Sequence, residues 1–351
     1  MPDGQRSHGK PSPSERLTVT YAPRRYHFIT GLPRSGSTLL SALLCQNPRF
    51  HASISGPLGA LFMGMLNQLS AGSEYASMVS TEQRRRLGRG LFESYYADQE
   101  GKDVIFDTNR MWSAHMAAAL DMFPGARFIA CVRNVAWIMD SVERRFRANP
   151  YEFTKLFDGE AERSSVYTRV EALAQRNRMV GGPWSMLKEG FYSEQAENLL
   201  IVDYDLLAQA PDKVLRLVYE FIGEPWFEHD YGNLAYDTPE FDRNLGLPGL
   251  HKVRETVQLQ HRRTILPPDL FAQYSQLSFW EQGADSAARV IAVKPREPAP
   301  DPSPAPHQRH LPLHDGTTPL SGDAGTSSAT LQRTSTDNSS TTTVPASRAS
   351  R

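Results

Sequence analysis

The stretch Gly31-Leu32-Pro33-Arg34-Ser35-Gly36-Ser37-Thr38 limits most strongly what this chain can fold into. Before it, Tyr26-His27-Phe28-Ile29 is aromatic and β-branched and reads as a buried strand. After it, Leu39-Leu40-Ser41-Ala42-Leu43-Leu44 is a good helix former. A strand that breaks at glycine into a loop and then opens a helix brings backbone N–H groups together over an anion, with the positive end of the helix dipole behind them. The spacing is that of a phosphate-binding loop, but Ser37 stands where nucleoside triphosphatases carry lysine. Arg34, inside the loop, is the nearby cation. Keeping the cradle while moving the charge points to a nucleotide whose end group is not a γ-phosphate.

The rest of the chain supports an α/β layout. With 351 residues, 40% hydrophobic and 22% charged, it is long enough for one sizeable α/β domain or two small ones. A net charge of −1 gives no support for nucleic-acid binding or bulk membrane attraction. Cys45 and Cys131 both lie in apolar runs and read as buried fillers, so no metal site is expected and a cytoplasmic setting is the default. The start lacks an apolar leader-like core, and no run approaches the ~18 apolar residues of a membrane span.

Residues 1–22 are expected as a loose arm, 23–294 as the folded domain, and the Pro/Ser/Thr-rich 295–351 as a disordered tail. Further strands are expected at Val104-Ile105-Phe106, at 127–132 and at 199–202. Helices are expected at 58–66, after the capping box Ser80-Thr81-Glu82-Gln83, at 112–122, after Arg133, over 160–179 ended by Gly181-Gly182-Pro183, at 213–222, and from Leu266-Pro267-Pro268 onward. Phe279-Trp280 are expected to close the core, and 231–250 to form an ordered loop near the site. This rhythm predicts a three-layer sandwich around a central, mostly parallel sheet, with ligands at the carboxyl ends of the strands.

Over roughly residues 24–280 the chain resembles the sulfotransferases that use 3′-phosphoadenosine-5′-phosphosulfate (PAPS). The loop at 31–38 is similar to the family's 5′-phosphosulfate loop. Val132-Arg133, with Ser141 eight residues after the arginine, is similar to its 3′-phosphate site. The resemblance implies PAPS as co-substrate without a metal, held by Pro33, Arg34, Ser35, Gly36, Ser37, Thr38, Arg133 and Ser141, with Arg145 one helical turn further on. It also implies Tyr204, followed by Asp205, near the adenine, and Lys252 reaching the phosphates from a closing loop. The loop and the arginine-to-serine spacing look closest to tyrosylprotein and bacterial RaxST-type peptide tyrosine sulfotransferases.

No family base carries over. Where cytosolic members have histidine, this chain reads Asp107-Thr108-Asn109-Arg110, and where tyrosylprotein members have glutamate it reads His51-Ala52-Ser53-Ile54-Ser55-Gly56. Asp107 is therefore expected as the proton acceptor, with Arg110 and Arg34 stabilising charge on the sulfuryl group, and His51 and His115 in reserve. The acceptor expected is a peptide or protein tyrosine in an acidic context, gripped by Arg84-Arg85-Arg86 and Arg144-Arg145, with a carbohydrate or lipid-linked hydroxyl as the alternative. A homodimer is the assembly considered. The rival classes are a phosphate-loop kinase or nucleoside triphosphatase and a nucleotide-binding module without catalysis.

Overall fold

The structure, a computed structural model, describes residues 24–148, 151, 154–234, 242–243, 256–259, 262–282 and 285–291. The chain divides into two units, 1–297 and 298–351, and all described residues belong to the first. The expected arm and tail, most of the expected loop at 231–250, and Lys252 lie outside the described residues.

Six strands form one sheet: β1 Arg25–Gly31, β2 Phe50–Ala52, β3 Val104–Thr108, β4 Phe128–Val132, β5 Leu199–Asp203 and β6 Arg289–Ile291. Their order is β2-β3-β1-β4-β5-β6, and each pairing is parallel. Side chains alternate between two cores. Tyr26, Phe28, Ile105, Phe128, Ala130, Leu199 and Ile201 face one, while Ile29, Val104, Phe106, Ile129, Cys131, Leu200 and Val202 face the other. A strand covered on both sides has no solvated face, and this is why the central strands read as continuous apolar runs.

The first core is covered by α2 Leu58–Leu69, α3 Thr81–Tyr95, α4 Met116–Met122, α5 Val135–Ala148, α7 Val166–Ala174, α8 Gly181–Phe191 and α11 Pro268–Ser275. The second is covered by α1 Ser37–Leu44, α9 Tyr204–Gln209 and α10 Pro211–Ile222. The result is the expected three-layer sandwich. From β1 the chain moves toward β2 and β3, and from β4 toward β5. The sheet therefore has its topological switch between the carboxyl ends of β1 and β4, where open α/β sheets bind ligands.

Four local expectations are corrected. The edge strands β2 and β6 are three residues each, too short to show a pattern. The helix expected over 160–179 is broken into α6 Glu160–Arg163 and α7, because the Ser165 hydroxyl caps a new start by accepting from the Thr168 N–H. Gly181-Gly182-Pro183 begins α8 instead of ending a helix. Proline is tolerated in a first turn, and a Cβ at Gly181 would sit 2.0 Å from the Ala174 carbonyl oxygen. The helix expected from Trp112 is a 3₁₀ turn over Arg110–Ala114 followed by α4. The capping box at Ser80 and Gln83 and the burial of Phe279 and Trp280 are as expected.

Candidate functional site

The phosphate loop is locked to β4. Gly31 has φ 101°, and a Cβ there would lie 2.2 Å from the Cys131 carbonyl oxygen, so glycine alone lets the end of β1 approach β4 this closely. The Leu32 N–H donates to the same carbonyl at 2.9 Å. The Ser35 hydroxyl is placed to donate to the carbonyls of Leu32 and Cys131, the latter at 2.7 Å. Ser35, expected among the nucleotide contacts, thus spends its side chain on the loop and has only its N–H to offer. Arg34 has φ 57° and Gly36 φ 91°. Left-handed residues at these positions turn the chain so that successive N–H groups converge ahead of α1, which has no side-chain cap and no acid in its first turn.

Around this loop the fold gathers the residues singled out in the sequence. Arg34 Nε donates to Ser141 Oγ at 3.1 Å, linking the loop to α5. Arg133, at the end of β4, holds its guanidinium carbon 4.4 Å from the centre of the Tyr204 ring, and its Nη2 lies 3.4 Å from Asp205 Oδ1. Its buried Nε has no hydrogen-bond partner. Tyr204 in turn lies against Gly36, where a Cβ would meet the ring at 2.7 Å. Burial, joined by the neighbouring charges of Arg145 and Arg133, lowers the Arg34 pKa to about 10. Guanidiniums crowded at this density, one with an orphaned donor, beside a hydroxyl and an uncapped helix start, fit a polyanionic nucleotide.

Sequence reasoning missed Arg262. Asp140 on α5, fully buried, holds Arg262 Nη2 at 2.7 Å and Arg144 Nε at 2.9 Å, and it accepts from the Ile265 N–H at 2.7 Å and the Thr264 hydroxyl at 3.1 Å. This clamp brings residues 262–265 back to α5. The guanidiniums of Arg262 and Arg133 then lie 5.7 and 6.0 Å from the Trp137 ring. No local pattern marks Arg262, since its place depends on a carboxylate more than a hundred residues earlier.

The carboxyl end of β3 carries Asp107, and the turn beyond it carries Arg110. Asp107 is fully buried. Its Oδ2 accepts from the Tyr96 hydroxyl at 2.7 Å and its Oδ1 from the Trp112 indole N–H at 2.6 Å. Both oxygens are engaged, and burial raises its pKa. Asp107, expected as the proton acceptor, also ties the 3₁₀ turn to β3 through Trp112. Arg110, on that turn, is half-buried with its Nε enclosed, and has no ion-pair partner among the described residues. Its Nε is orphaned and burial alone lowers its pKa.

The reserve histidines lie apart. His51 pairs in register with Ile105, three residues short of the end of β3, with its ring against Tyr96 at 5.4 Å. His115 follows the 3₁₀ turn, 6.2 Å from the Phe62 ring. Burial lowers the pKa of both. The arginines expected to grip an acidic peptide are largely taken. Arg84 donates to the carbonyls of Leu69 and Ala76, Arg85 pairs with Asp121 and Glu82, and Arg144 pairs with Asp140. Among the described residues no acidic, histidine or cysteine cluster could hold a metal ion, and no helix is long and apolar enough to cross a membrane.

The chain is similar to the sulfotransferase domain of the Synechococcus PCC 7002 olefin synthase at 16% identity, over 73% of this chain and 95% of that one, with a TM-score of 0.40. It is similar to the sulfotransferase domain from the curacin biosynthetic pathway at 16% identity, over 73% and 98%, also at 0.40. To sulfotransferase STF9 from Mycobacterium avium the identity is 17%, over 73% and 77%, at 0.39. No match is found among curated protein sequences. The family described as "Sulfotransferase family" matches residues 27–228, which is more than half of the chain and runs from β1 through the phosphate loop, Arg133, Ser141 and Tyr204, so the chain belongs to the sulfotransferase family.

Proposed function

We propose that the protein transfers a sulfuryl group from PAPS to an acceptor hydroxyl, and that the acceptor is the phenol of a tyrosine in a peptide or protein. The observation that carries the reading is the meeting of the loop, α5, the end of β4 and the start of α9. Arg34 bonds Ser141, Arg133 lies over Tyr204, and Tyr204 rests on Gly36. In this reading the loop N–H groups and the start of α1 hold the 5′ end of the donor. Arg133, Ser141, Arg145 and Arg262 hold a phosphate at its far end, and Tyr204 flanks the base. Lys252 remains a proposed contact from the return loop. When bound, the donor supplies an activated sulfuryl group. The chain supplies orientation and fixed positive charge, the main levers for a loose transfer of this kind.

Equilibrium binding of 3′-phosphoadenosine 5′-phosphate, followed by transfer of radiolabelled sulfate from PAPS to tyrosine-containing acidic peptides, tests the reading. Arg133→Ala is expected to weaken nucleotide binding ~10–100-fold, the loss of one or two charge-assisted hydrogen bonds. Magnesium-dependent ATP turnover without sulfate transfer would overturn it.

A further inference from the structure

With Asp107 locked between Tyr96 and Trp112, the carboxyl end of β3 presents a cation in place of a proton acceptor. Arg110 opens the 3₁₀ turn immediately beyond β3. It is fixed there by two bonds to β1: Thr30 Oγ1 donates to the Arg110 carbonyl at 2.9 Å, and the Asn109 N–H donates to the Ile29 carbonyl at 3.0 Å. This is the strand end next to the phosphate loop. Two orphaned donors sit within three residues of one another there, Thr108 Oγ1 and Arg110 Nε, both buried.

The elements packed against the turn are β1, β4, α4 and α8, together with α2 and α3, whose Phe62 and Phe92 rings lie against Trp112. Their titratable side chains are Arg25, Tyr26 and His27 toward the start of β1, Cys131 on β4, Asp121 on α4, which is paired with Arg85 of α3, the remaining Glu82, Arg84, Arg86, Arg89, Glu93 and Tyr95 of α3, and Lys188 and Glu189 on α8. His115, at the end of the turn, feels Glu189. None of these groups shifts the ionisation of Arg110. Asp107, its neighbour on β3, gives both oxygens to other donors. A guanidinium whose enclosed Nε lacks a partner among the described residues is stabilised when an anion arrives beside it, and by the same interaction it favours ionisation of a weak acid placed there.

Resting on the sulfuryl-transfer reading, we propose that Arg110, helped by the Thr108 hydroxyl, binds the acceptor oxygen as an oxyanion, so that the enzyme uses an ionised phenol and needs no carboxylate base. The acceptor's proton goes to solvent before transfer. The phenolate oxygen then forms its bond to sulfur as the bond from sulfur to the nucleotide phosphate oxygen breaks, and the electron pair stays on that phosphate. The class of acceptor follows from acidity. A phenol with pKa near 10 is brought into the working range by a shift of a few units, while an aliphatic alcohol, far less acidic, is not.

The test reads the bound acceptor directly. The full-length protein is saturated with 3′-phosphoadenosine 5′-phosphate, 4-nitrophenol is bound as the probe, and the phenolate absorbance is followed against pH. The wild-type protein is expected to hold at least ~10-fold more of the probe as phenolate than free solution does at the same pH, a shift of about one pKa unit. Arg110→Gln should abolish the excess, Arg110→Lys should retain part of it, and Asp107→Asn should leave it in place. Unchanged nucleotide affinity in the variants shows that they are folded. If Arg110→Gln fails that check, Arg110→Lys and a rate series over phenols of graded acidity decide: a rate that rises with acceptor acidity at fixed pH supports the proposal, and aliphatic alcohols sulfated as fast as phenols overturn it. An identical bound ionisation in wild type and Arg110→Gln, or a probe that does not bind the nucleotide-loaded protein, also overturns it while leaving sulfuryl transfer standing. Absence of nucleotide binding in the wild type would sink the sulfuryl-transfer reading itself, and the proposal with it.

Discussion

Gly36 carries two constraints at once. Its φ of 91° disfavours any side chain, and the Tyr204 ring occupies the place a Cβ would take. Gly36→Ala is expected to weaken nucleotide binding at least ~10-fold by calorimetry. Trimming Tyr204 in the same protein would not restore it, since the backbone strain remains. Asp107 is the opposite case, a residue whose loss is felt in stability before chemistry. Asp107→Ala leaves the Tyr96 hydroxyl and the Trp112 indole N–H buried without an acceptor. At about 1–3 kcal/mol for each stranded group, urea unfolding should show a loss of roughly 2–6 kcal/mol. Asp107→Asn, which keeps an acceptor, should lose less.

Among the elements, α5 does the most joining. Ser141 faces the phosphate loop, Asp140 clamps residues 262–265, and Glu143 is buried with a two-pronged pair to Arg169 of α7 at 2.8 and 2.6 Å. The Arg169 guanidinium also lies 4.2 Å from the Phe146 ring. Removing one partner of a buried pair strands the other charge, so Glu143→Ala should cost about 3–5 kcal/mol in chemical denaturation. Replacing both Glu143 and Arg169 with apolar residues of similar volume should cost much less. Asp140→Ala is expected to act at a distance. It releases Arg262 and the Ile265 N–H from α5, and limited proteolysis should then cut within 256–267 faster than in the wild type while nucleotide affinity falls.

At the scale of the whole molecule, the parallel sheet buries groups on both faces, and this makes stability depend on pH. His27 on β1 is buried and its Nδ1 accepts from the Arg127 N–H at 3.0 Å, while burial lowers its pKa to about 3. Unfolded chains protonate this histidine below its ordinary value of about 6.5, and the folded chain does not. The unfolded state therefore binds more protons between pH 6.5 and 3, and the folded state loses stability as pH falls through that window. Thermal unfolding should show the decline, and the native His27 ring should show no titration by NMR between pH 8 and 5.

Much of this architecture is legible in the chain itself. The apolar runs at β1, β3, β4 and β5 are buried on both sides and so announce themselves. The loop at 31–38 is legible because glycine, proline and hydroxyls at fixed spacing have few other uses, and the arginine-to-serine interval reflects two turns of α5. The sequence alone thus determined the layers, the phosphate loop and the family resemblance, all of which rest on local periodicity and spacing. Tertiary structure decided what each charge does. Arg34 and Ser141, 107 positions apart, meet only after folding, and Arg262 is held to α5 by Asp140. Asp107 and Arg110 look alike as polar residues at a strand end, yet one is enclosed by Tyr96 and Trp112 and the other has no ion-pair partner among the described residues. A side chain's partners come from distant segments, and its chemistry follows from those partners, which no local pattern encodes.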